Sequence, residues 1–339
     1  MTGRRGVVGI DARAAARPEL GGVERWAREL ARRLPALRPG GYAVLRPPAA
    51  LVHRAGHAWE QAVLPARAAR MRALLCPANL APLAYPRSMV VVHDVAPLRH
   101  PGWYSRAYVS WQRLVAPAIA RRASRLITVS EFSRAELRDL LGVDAAIVPG
   151  GVDERFNVHA DPEPARRALG LRRPYVLTVA SQTARKNLGA LVPAAQALAA
   201  DGIDVVVAGG RRPQFAPEGG LDALRMAGRV DDALLPGLYA GAEAFALPSH
   251  YEGFGLPVLE AMACGTPVVA AATSALPETC GEAAVLAEPT GDAFRAALMS
   301  LLADAGRRDR LRAAGLARAR TFSWDATARA VDALVFGAD

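Results

Sequence analysis

Short apolar runs alternate with longer amphipathic stretches along almost the whole chain. In the first half the runs fall at residues 7–10, 43–45, 73–76, 89–93, 126–129 and 145–148. In the second half they fall at 175–180, 204–208, 224–227, 244–247, 267–271 and 284–286. Several are continuous rather than alternating, the pattern of strands covered on both faces of a parallel sheet. Between them lie helical patterns such as 23–34, 106–122, 133–141 and 188–200. This alternation predicts an α/β chain, and the strands are enough for two doubly wound, Rossmann-like domains.

A boundary is expected in VPGGVDERFNVHADPEPARRALGLRRP at 148–174, which is rich in proline and turn residues. The expected division is a first domain over 1–165, a second over 166–323, and a last helix over 324–339 packing back on the first. A length of 339 residues suits two domains. With 52% hydrophobic and 22% charged residues, the composition is that of an ordinary globular protein. Cys76, Cys264 and Cys280 show no metal-ligand spacing, and Cys264 sits in AMACGTP among small residues, where packing explains it. The opening MTGRRGVVGIDAR is too short in apolar residues for a signal peptide. The longest uncharged run, 261–277, is interrupted by Gly265, Thr266, Pro267 and Ser274 and is too short to span a membrane. The expected location is the cytoplasm, with any membrane contact peripheral and on the inner face.

The formal net charge of +10 is unevenly placed. Residues 1–165 hold 24 arginines against 14 acidic residues (24 − 14 = +10), and residues 166–339 hold 18 basic and 18 acidic ones. A solvated basic surface explains this as readily as an anionic partner, such as a lipid head group or a membrane surface. Nucleic acid is not indicated, because the arginines are dispersed and no DNA-reading or RNA-reading motif accompanies them.

Of the 42 basic residues, only Lys186 is a lysine. It lies in TARKNL at 183–188, between the apolar run YVLTVA and the helical pattern NLGALVPAAQALAA. Arg185 and Lys186 therefore fall at the carboxyl end of a predicted parallel strand, beside an expected helix N-terminus. Ligands bind at that edge of doubly wound sheets, and helix N-termini favour anions. Lysine offers a compact point charge with rotatable donors, where arginine offers a wide planar fork. The pair suits a phosphate better than it suits a chance survivor on a loop.

A stronger feature is PSHYEGFGLPVLEAMACGTPVVA at 248–270. A strand runs into a loop containing Gly253 and Gly255, and Pro257 suits the first turn of the helix that follows. Glycines there permit close approach to the backbone N–H groups of Phe254, Gly255 and Leu256. Glu252 and Glu260 are eight positions apart, one before the loop and one a turn into the helix, so both can lean toward one crevice. A carboxylate accepting from two vicinal hydroxyls would hold a ribose.

With these residues assembled, the chain resembles the retaining glycosyltransferases of family 4, which have the GT-B fold of two Rossmann-like domains facing across a cleft. The resemblance covers nearly all of it. The Glu252-x7-Glu260 pattern enclosing GFGLP carries most of it. GGVERWARELARRL, VVHDVAPLRHPGWY, ITVSEFSRAEL, VPGGVD, ARKN and GRVDDALLPGLYAGAEAFALPS follow in the family's order. The resemblance implies metal-independent transfer of a mannose-like or glucose-like hexose from a UDP- or GDP-sugar to a hydroxyl, with retention. The acceptor would be a glycan, a lipid-linked or a small molecule. No cofactor is implied beyond the nucleotide sugar as co-substrate. Lys186 and Arg185 would neutralise the diphosphate, and Glu260 would hold the ribose. The loop from Glu252 through Phe254, Gly255 and Leu256 would meet the sugar and distal phosphate. Arg229, Val230, Asp231 and Asp232 would border the base. Gly21 and Gly22, opening a helix, would close over the donor from the first domain, and His93 would lie over the sugar near the acceptor. The chain departs from many members in having neither Arg nor Gly at Ala180 and Ser181, which shifts weight onto Arg185 and Lys186.

A histidine ending a buried strand is more often structural. For His93, the strand-end position and the adjacent Asp94 favour function. His100 and His250 keep the structural reading, and His53, His57 and His159 have no motif around them. Trp103, Tyr104, Tyr108, Trp111 and Val115 read as a core-facing stripe, with an acceptor or membrane-facing surface as the alternative. Three rival classes share parts of this pattern. A nucleotide-sugar 2-epimerase needs carboxylates on both sides of the cleft. A pyridoxal-phosphate phosphorylase needs a second lysine. A non-catalytic basic scaffold has no reason to keep Lys186, Glu252 and Glu260 together.

Overall fold

The computed structural model describes residues 6–17, 21–52, 56–210 and 219–337. His53 lies outside them. The twelve apolar runs form twelve strands, each within a residue or two of its expected bounds. The first six are β1 (Val8–Asp11), β2 (Tyr42–Leu45), β3 (Ala73–Cys76), β4 (Ser88–Val92), β5 (Arg125–Thr128) and β6 (Ala146–Ile147). They make one parallel sheet in the order β2-β1-β3-β4-β5-β6. The others are β7 (Tyr175–Val179), β8 (Asp204–Ala208), β9 (Arg225–Gly228), β10 (Ala244–Leu247), β11 (Val268–Ala271) and β12 (Val285–Ala287). They make a second parallel sheet in the order β12-β11-β10-β7-β8-β9. Parallel strands need crossover connections, and the helical stretches supply them.

Each sheet has one place where the chain reverses its direction of growth. In the first sheet it lies between β1 and β3, and in the second between β7 and β10. Loops leaving two adjacent strands there diverge and leave a crevice at the carboxyl ends. In the second sheet those loops are the ones carrying Lys186 and Glu252. Apart from Thr178 in β7 their strands are apolar, and they are almost wholly buried. Val176, Leu177, Phe245 and Leu247 are inaccessible, covered among others by Leu191, Leu198, Leu259 and Phe294.

By its contacts the chain divides into two compact units. The first comprises Met1–Arg99, Val109–Gly151 and Ser323–Asp339, and the second comprises His100–Tyr108 and Val152–Phe322. The boundary thus falls fourteen residues earlier than the expected 165, because the turn-rich segment is anchored in the second unit. Phe156 is buried against Tyr239, with ring centroids 5.8 Å apart, and Arg155 pairs with Asp232. In the first unit the Trp324–Phe336 helix starts at Ser323, whose hydroxyl accepts from the Ala326 N–H at 3.2 Å. It packs on the Gly22–Leu37 helix, with Trp324 edge-on to Trp26 at 6.0 Å. Asp332 receives three hydrogen bonds from Arg38, at 3.0, 3.3 and 2.8 Å, and one from the Tyr42 hydroxyl at 2.8 Å. Among the described residues no helix is long and apolar enough to cross a membrane.

Candidate active site

The loop after β7 tightens into a short 3-10 turn, Ala184–Lys186, and Asn187 then takes a left-handed conformation at φ 51°. A second 3-10 turn, Leu188–Leu191, precedes the helix Val192–Ala199. Helical backbone thus begins at Leu188 as expected, but its first turn is 3-10 and the α-helix proper starts at Val192, with left-handed Asn187 separating it from the turn that holds Lys186. Asn187 anchors that turn, its amide donating to the carbonyls of Pro248 at 3.0 Å and Pro289 at 2.9 Å. The His250 N–H donates to the Arg185 carbonyl at 3.0 Å, tying this loop to the one after β10.

The two loops hold one buried ionic cluster. Lys186 is only 8% exposed, and its Nζ donates to Glu252 Oε1. Ser249 Oγ donates to the same oxygen at 2.7 Å. Arg185 Nη1 donates to Glu252 Oε2 at 3.2 Å and to the Tyr251 carbonyl at 2.7 Å. The Glu252 N–H donates to Ser274 Oγ at 2.9 Å. Burial alone raises the Glu252 carboxyl, but Lys186 and then Arg185 overcome it and hold the group down at about 2. The carboxylate is therefore ionised throughout the physiological range, and the cluster carries two positive charges against one negative.

The helix expected from Pro257 runs from Leu256 to Ala263. Gly255 precedes it at φ 104°, a conformation other residues adopt only under strain. A side chain there would also meet Leu276 Cδ2 at 2.8 Å. Glu260 lies on this helix, 4% exposed, and its Oε2 accepts a hydrogen bond from the Tyr239 hydroxyl at 3.0 Å. Glu252 and Glu260 thus have different partners: the first is bound to two cations, the second to a phenol. Arg229 and Val230 follow β9 directly, at the same edge of the sheet. Asp231 caps the next turn, its Oδ1 accepting from the Ala233 N–H at 2.9 Å, and Asp232 is engaged by Arg155. At Ala180, where many family members have Arg or Gly, the carbonyl lies against Gly209, and a Cβ built there would sit 2.0 Å from it.

In the first unit Gly21 is the N-cap of the Gly22–Leu37 helix, and its N–H donates to Glu24 Oε2 at 3.1 Å, the half of a capping box that a residue without a side chain can form. His93 follows β4. Its main-chain N–H donates to Asn79 Oδ1 at 2.7 Å, and its carbonyl accepts from Ser133 Oγ at 3.0 Å. Nε2 lies 2.8 Å from the Pro77 carbonyl, which can only accept, so the ring carries its proton on Nε2. Burial lowers the His93 pKa and keeps the ring neutral. The ring meets Trp26 edge-on at 5.5 Å.

Sequence reasoning missed a second buried cluster, at the carboxyl ends of β1 and β3. Asp11 Oδ1 accepts from Trp59 Nε1 at 2.9 Å and from the Arg13 N–H at 3.1 Å. Arg13 Nε donates to Glu60 Oε1 at 2.6 Å. Glu60 is 1% exposed and lies on a π-helical turn, Trp59–Val63. Burial outweighs the attraction of Arg13, and with Asp11 adding its negative charge the carboxyl is pushed up to about 7. Ser249, Ser274 and Tyr239 were missed as well. Tyr239 and Ser249 stand inside a quoted motif, GRVDDALLPGLYAGAEAFALPS, but nothing local marks either as polar and buried.

The aromatic stripe is not one face. Trp103 ends a 3-10 turn ahead of the Arg106–Arg122 helix and belongs to the second unit, stacked with His100 at 4.0 Å and with His250 at 6.1 Å. Trp111 lies against His57 in the first unit at 4.5 Å, and Val115 is buried. The helix turns Val109, Val115 and Ile119 into the core, and of the stripe Val115 is buried there with Trp111 packed partly buried against the same cluster.

Residues 173–304 match the family model described as Glycosyl transferases group 1, and residues 52–156 match Glycosyltransferase Family 4. The O-antigen chain mannosyltransferase B of Escherichia coli is 32% identical over 259 residues, spanning 70% of this chain and 67% of that protein. The D-inositol 3-phosphate glycosyltransferase of Kineococcus radiotolerans is 36% identical over 248 residues, covering 62% of this chain and 57% of its own longer length. In fold, Anabaena HepE, solved in complex with UDP and glucose, aligns at a TM-score of 0.73 with 16% identity, covering 98% of this chain and 99% of that one. Two six-stranded, doubly wound α/β units in this order define the GT-B class. The chain belongs to glycosyltransferase family 4.

Proposed function

We propose that the chain transfers a mannose-like or glucose-like hexose from a nucleoside diphosphate sugar to a hydroxyl of a glycan, lipid-linked or small-molecule acceptor, with retention at the anomeric carbon. The observation that carries this reading is the Arg185–Lys186–Glu252 cluster at the switch point of the second sheet. A diphosphate arriving there meets two buried cations and competes with Glu252 for them. Glu252, once displaced, is within its own loop's reach of the sugar hydroxyls, and Glu260 accepts from the ribose. Negative charge on the diphosphate grows as the sugar bond breaks, so Lys186 and Arg185 stabilise the transition state more than the ground state. The proton of the acceptor hydroxyl passes to a phosphate oxygen on the departing side. His93, neutral at the end of β4, is the first unit's candidate for contact with the acceptor. The two cations perform the neutralisation that a divalent metal supplies elsewhere, so activity persists in chelator.

The mannosyltransferase relative and the HepE complex with UDP and glucose support the hexose and the nucleotide. The basic first half supports an acceptor presented at an anionic membrane surface. Between Asp94 and Glu131 there are six arginines and no acidic residue. The helix Arg106–Arg122 exposes Arg106, Arg113 and Arg121 along the side that also leaves Leu114 74% exposed. The test is calorimetric titration with UDP and GDP, followed by transfer and hydrolysis assays on a panel of UDP-, GDP- and dTDP-sugars in the presence of EDTA. Binding of one diphosphate and turnover of its sugar are expected. A chain that binds no nucleotide, or works only when metal is restored, refutes the proposal.

A further inference from the structure

Tyr239 is held through its backbone, its ring and its hydroxyl. It is completely buried, near the end of the short Leu235–Ala240 helix. Its carbonyl accepts from Thr266 Oγ1 at 2.7 Å and from the Ala242 N–H at 3.0 Å. Its ring is gripped edge-on by Phe156 at 5.8 Å and tilted against Phe245 at 5.4 Å, on β10. From this fixed ring the hydroxyl reaches Glu260 Oε2 at 3.0 Å. A carboxylate only accepts, so the phenol donates, and its direction is set by the ring rather than by the glutamate.

A glutamate has three rotatable bonds, and its recognition of two vicinal hydroxyls depends on where the carboxylate plane lies. We infer that Tyr239 is a positioning residue for the donor: it fixes the Glu260 carboxylate in the orientation that receives the ribose hydroxyls before the nucleotide arrives. Binding then gains because that ordering is already complete in the free protein. Phe156, on the segment that sequence alone assigned to the first unit, is part of the grip, so the inference also explains why residues 152–165 are built into the second. It rests on the reading of Glu260 as the ribose partner.

The experiment is calorimetric titration of the full chain and its variants with UDP, GDP and the 2′-deoxy and 3′-deoxy forms of each. The wild type is expected to prefer the better ribonucleotide over its deoxy form by ~tenfold or more, the worth of a hydrogen bond to a charged acceptor. Tyr239→Phe keeps the ring and its packing and removes only the donor. It should shrink that preference to ~threefold or less, since an unaimed carboxylate gains less from the hydroxyl. Glu260→Asp keeps the charge but withdraws it from the phenol by one methylene. It should shrink the preference in the same way, and it serves as the test if Tyr239→Phe does not fold by circular dichroism. Adding Tyr239→Phe to Glu260→Gln should change the ribose preference no further.

A merely structural tyrosine gives a different result: ribose and deoxy forms weaken by the same factor, and the preference survives. That outcome overturns the positioning role while leaving the ribose assignment standing. A wild type indifferent to the ribose hydroxyls overturns the ribose assignment of Glu260, and this inference with it.

Discussion

Replacing Lys186 by methionine removes the charge at the centre of the ionic cluster and leaves a side chain of similar length. The consequence for stability follows from Glu252. Its carboxyl is held at about 2 against an ordinary 4.5, in spite of burial that pushes the other way. That depression corresponds to roughly 3 kcal/mol of net favourable interaction for the ionised form. Lys186 is the largest favourable contributor, ahead of Arg185 and the hydrogen bond from Ser249. Without it, a buried carboxylate keeps one arginine and one hydroxyl, and the folded state should lose ~2–3 kcal/mol at pH 7, near the range for opening a buried pair. Because the folded pKa is depressed, this stability is fully present above 4.5. It is lost as the pH falls toward 2, where both folded and unfolded chains bind the proton. Denaturant unfolding of wild type and variant should therefore diverge most at neutral pH and converge toward pH 3. An equal deficit at both values refutes the ion-pair reasoning.

The consequence for turnover is separate. Lys186→Met should lower kcat by roughly 10²–10³, the loss typical of one preorganised transition-state donor. Donor affinity should fall less, because the charge it meets grows only as the bond breaks. Lys186→Arg should rescue little, since a guanidinium is wider and Arg185 already occupies the space beside Glu252. Steady-state kinetics with circular dichroism as a folding control measures all of this. A fully active Lys186→Arg enzyme refutes the role assigned to the only lysine.

Glu260→Gln should raise the donor KM several-fold with the fold intact, because an amide accepts ribose hydroxyls less strongly than a carboxylate; an unchanged KM counts against the ribose assignment. The first half should bring the protein to anionic liposomes at low salt and release it as the Debye length shrinks to about 3 Å near 1 M; cosedimentation that ignores salt speaks against the basic surface. Glu60, raised from 4.5 to about 7, binds its proton more tightly in the folded chain, so its ionisation should cost stability as the pH rises through that window. The loss should reach roughly 3 kcal/mol by neutral pH and vanish in Glu60→Gln; parallel pH profiles for the two proteins refute it.

Why the strands were legible and the site's partners were not has a physical cause. A strand buried on both faces of a parallel sheet must be apolar at every position, as 244–247 and 268–271 are, so each run declares itself without reference to its neighbours. The second unit's edge at Val152 was hidden because Phe156 is its only large apolar residue within a stretch of turn formers. The break between Lys186 and the helical stretch from Leu188 was not legible, because left-handed Asn187 is a single residue anchored by carbonyls 61 and 102 positions away. The stripe from Trp103 to Val115 failed for a similar reason. Helical spacing was read through residues that precede the helix.

The site itself divides along the same line. Arg185, Lys186, Glu252 and Glu260 were visible because charge in an otherwise apolar setting is costly and must have a purpose or a partner. What sequence does not reveal is which of the two it is. Glu252 lies 66 residues from Lys186 and was read as a sugar ligand, yet in the free chain it neutralises the very cations assigned to the diphosphate. Both statements hold together if the pair is exchanged rather than permanent. Two buried cations with no counterion are unfavourable in the empty site, and one with a full complement would not attract a diphosphate. A cluster of two positive charges and one negative meets both demands, provided the carboxylate sits on a loop that moves with the glycines beside it. Gly255, in a left-handed conformation that side-chain-bearing residues rarely adopt, marks the point at which that loop enters its helix.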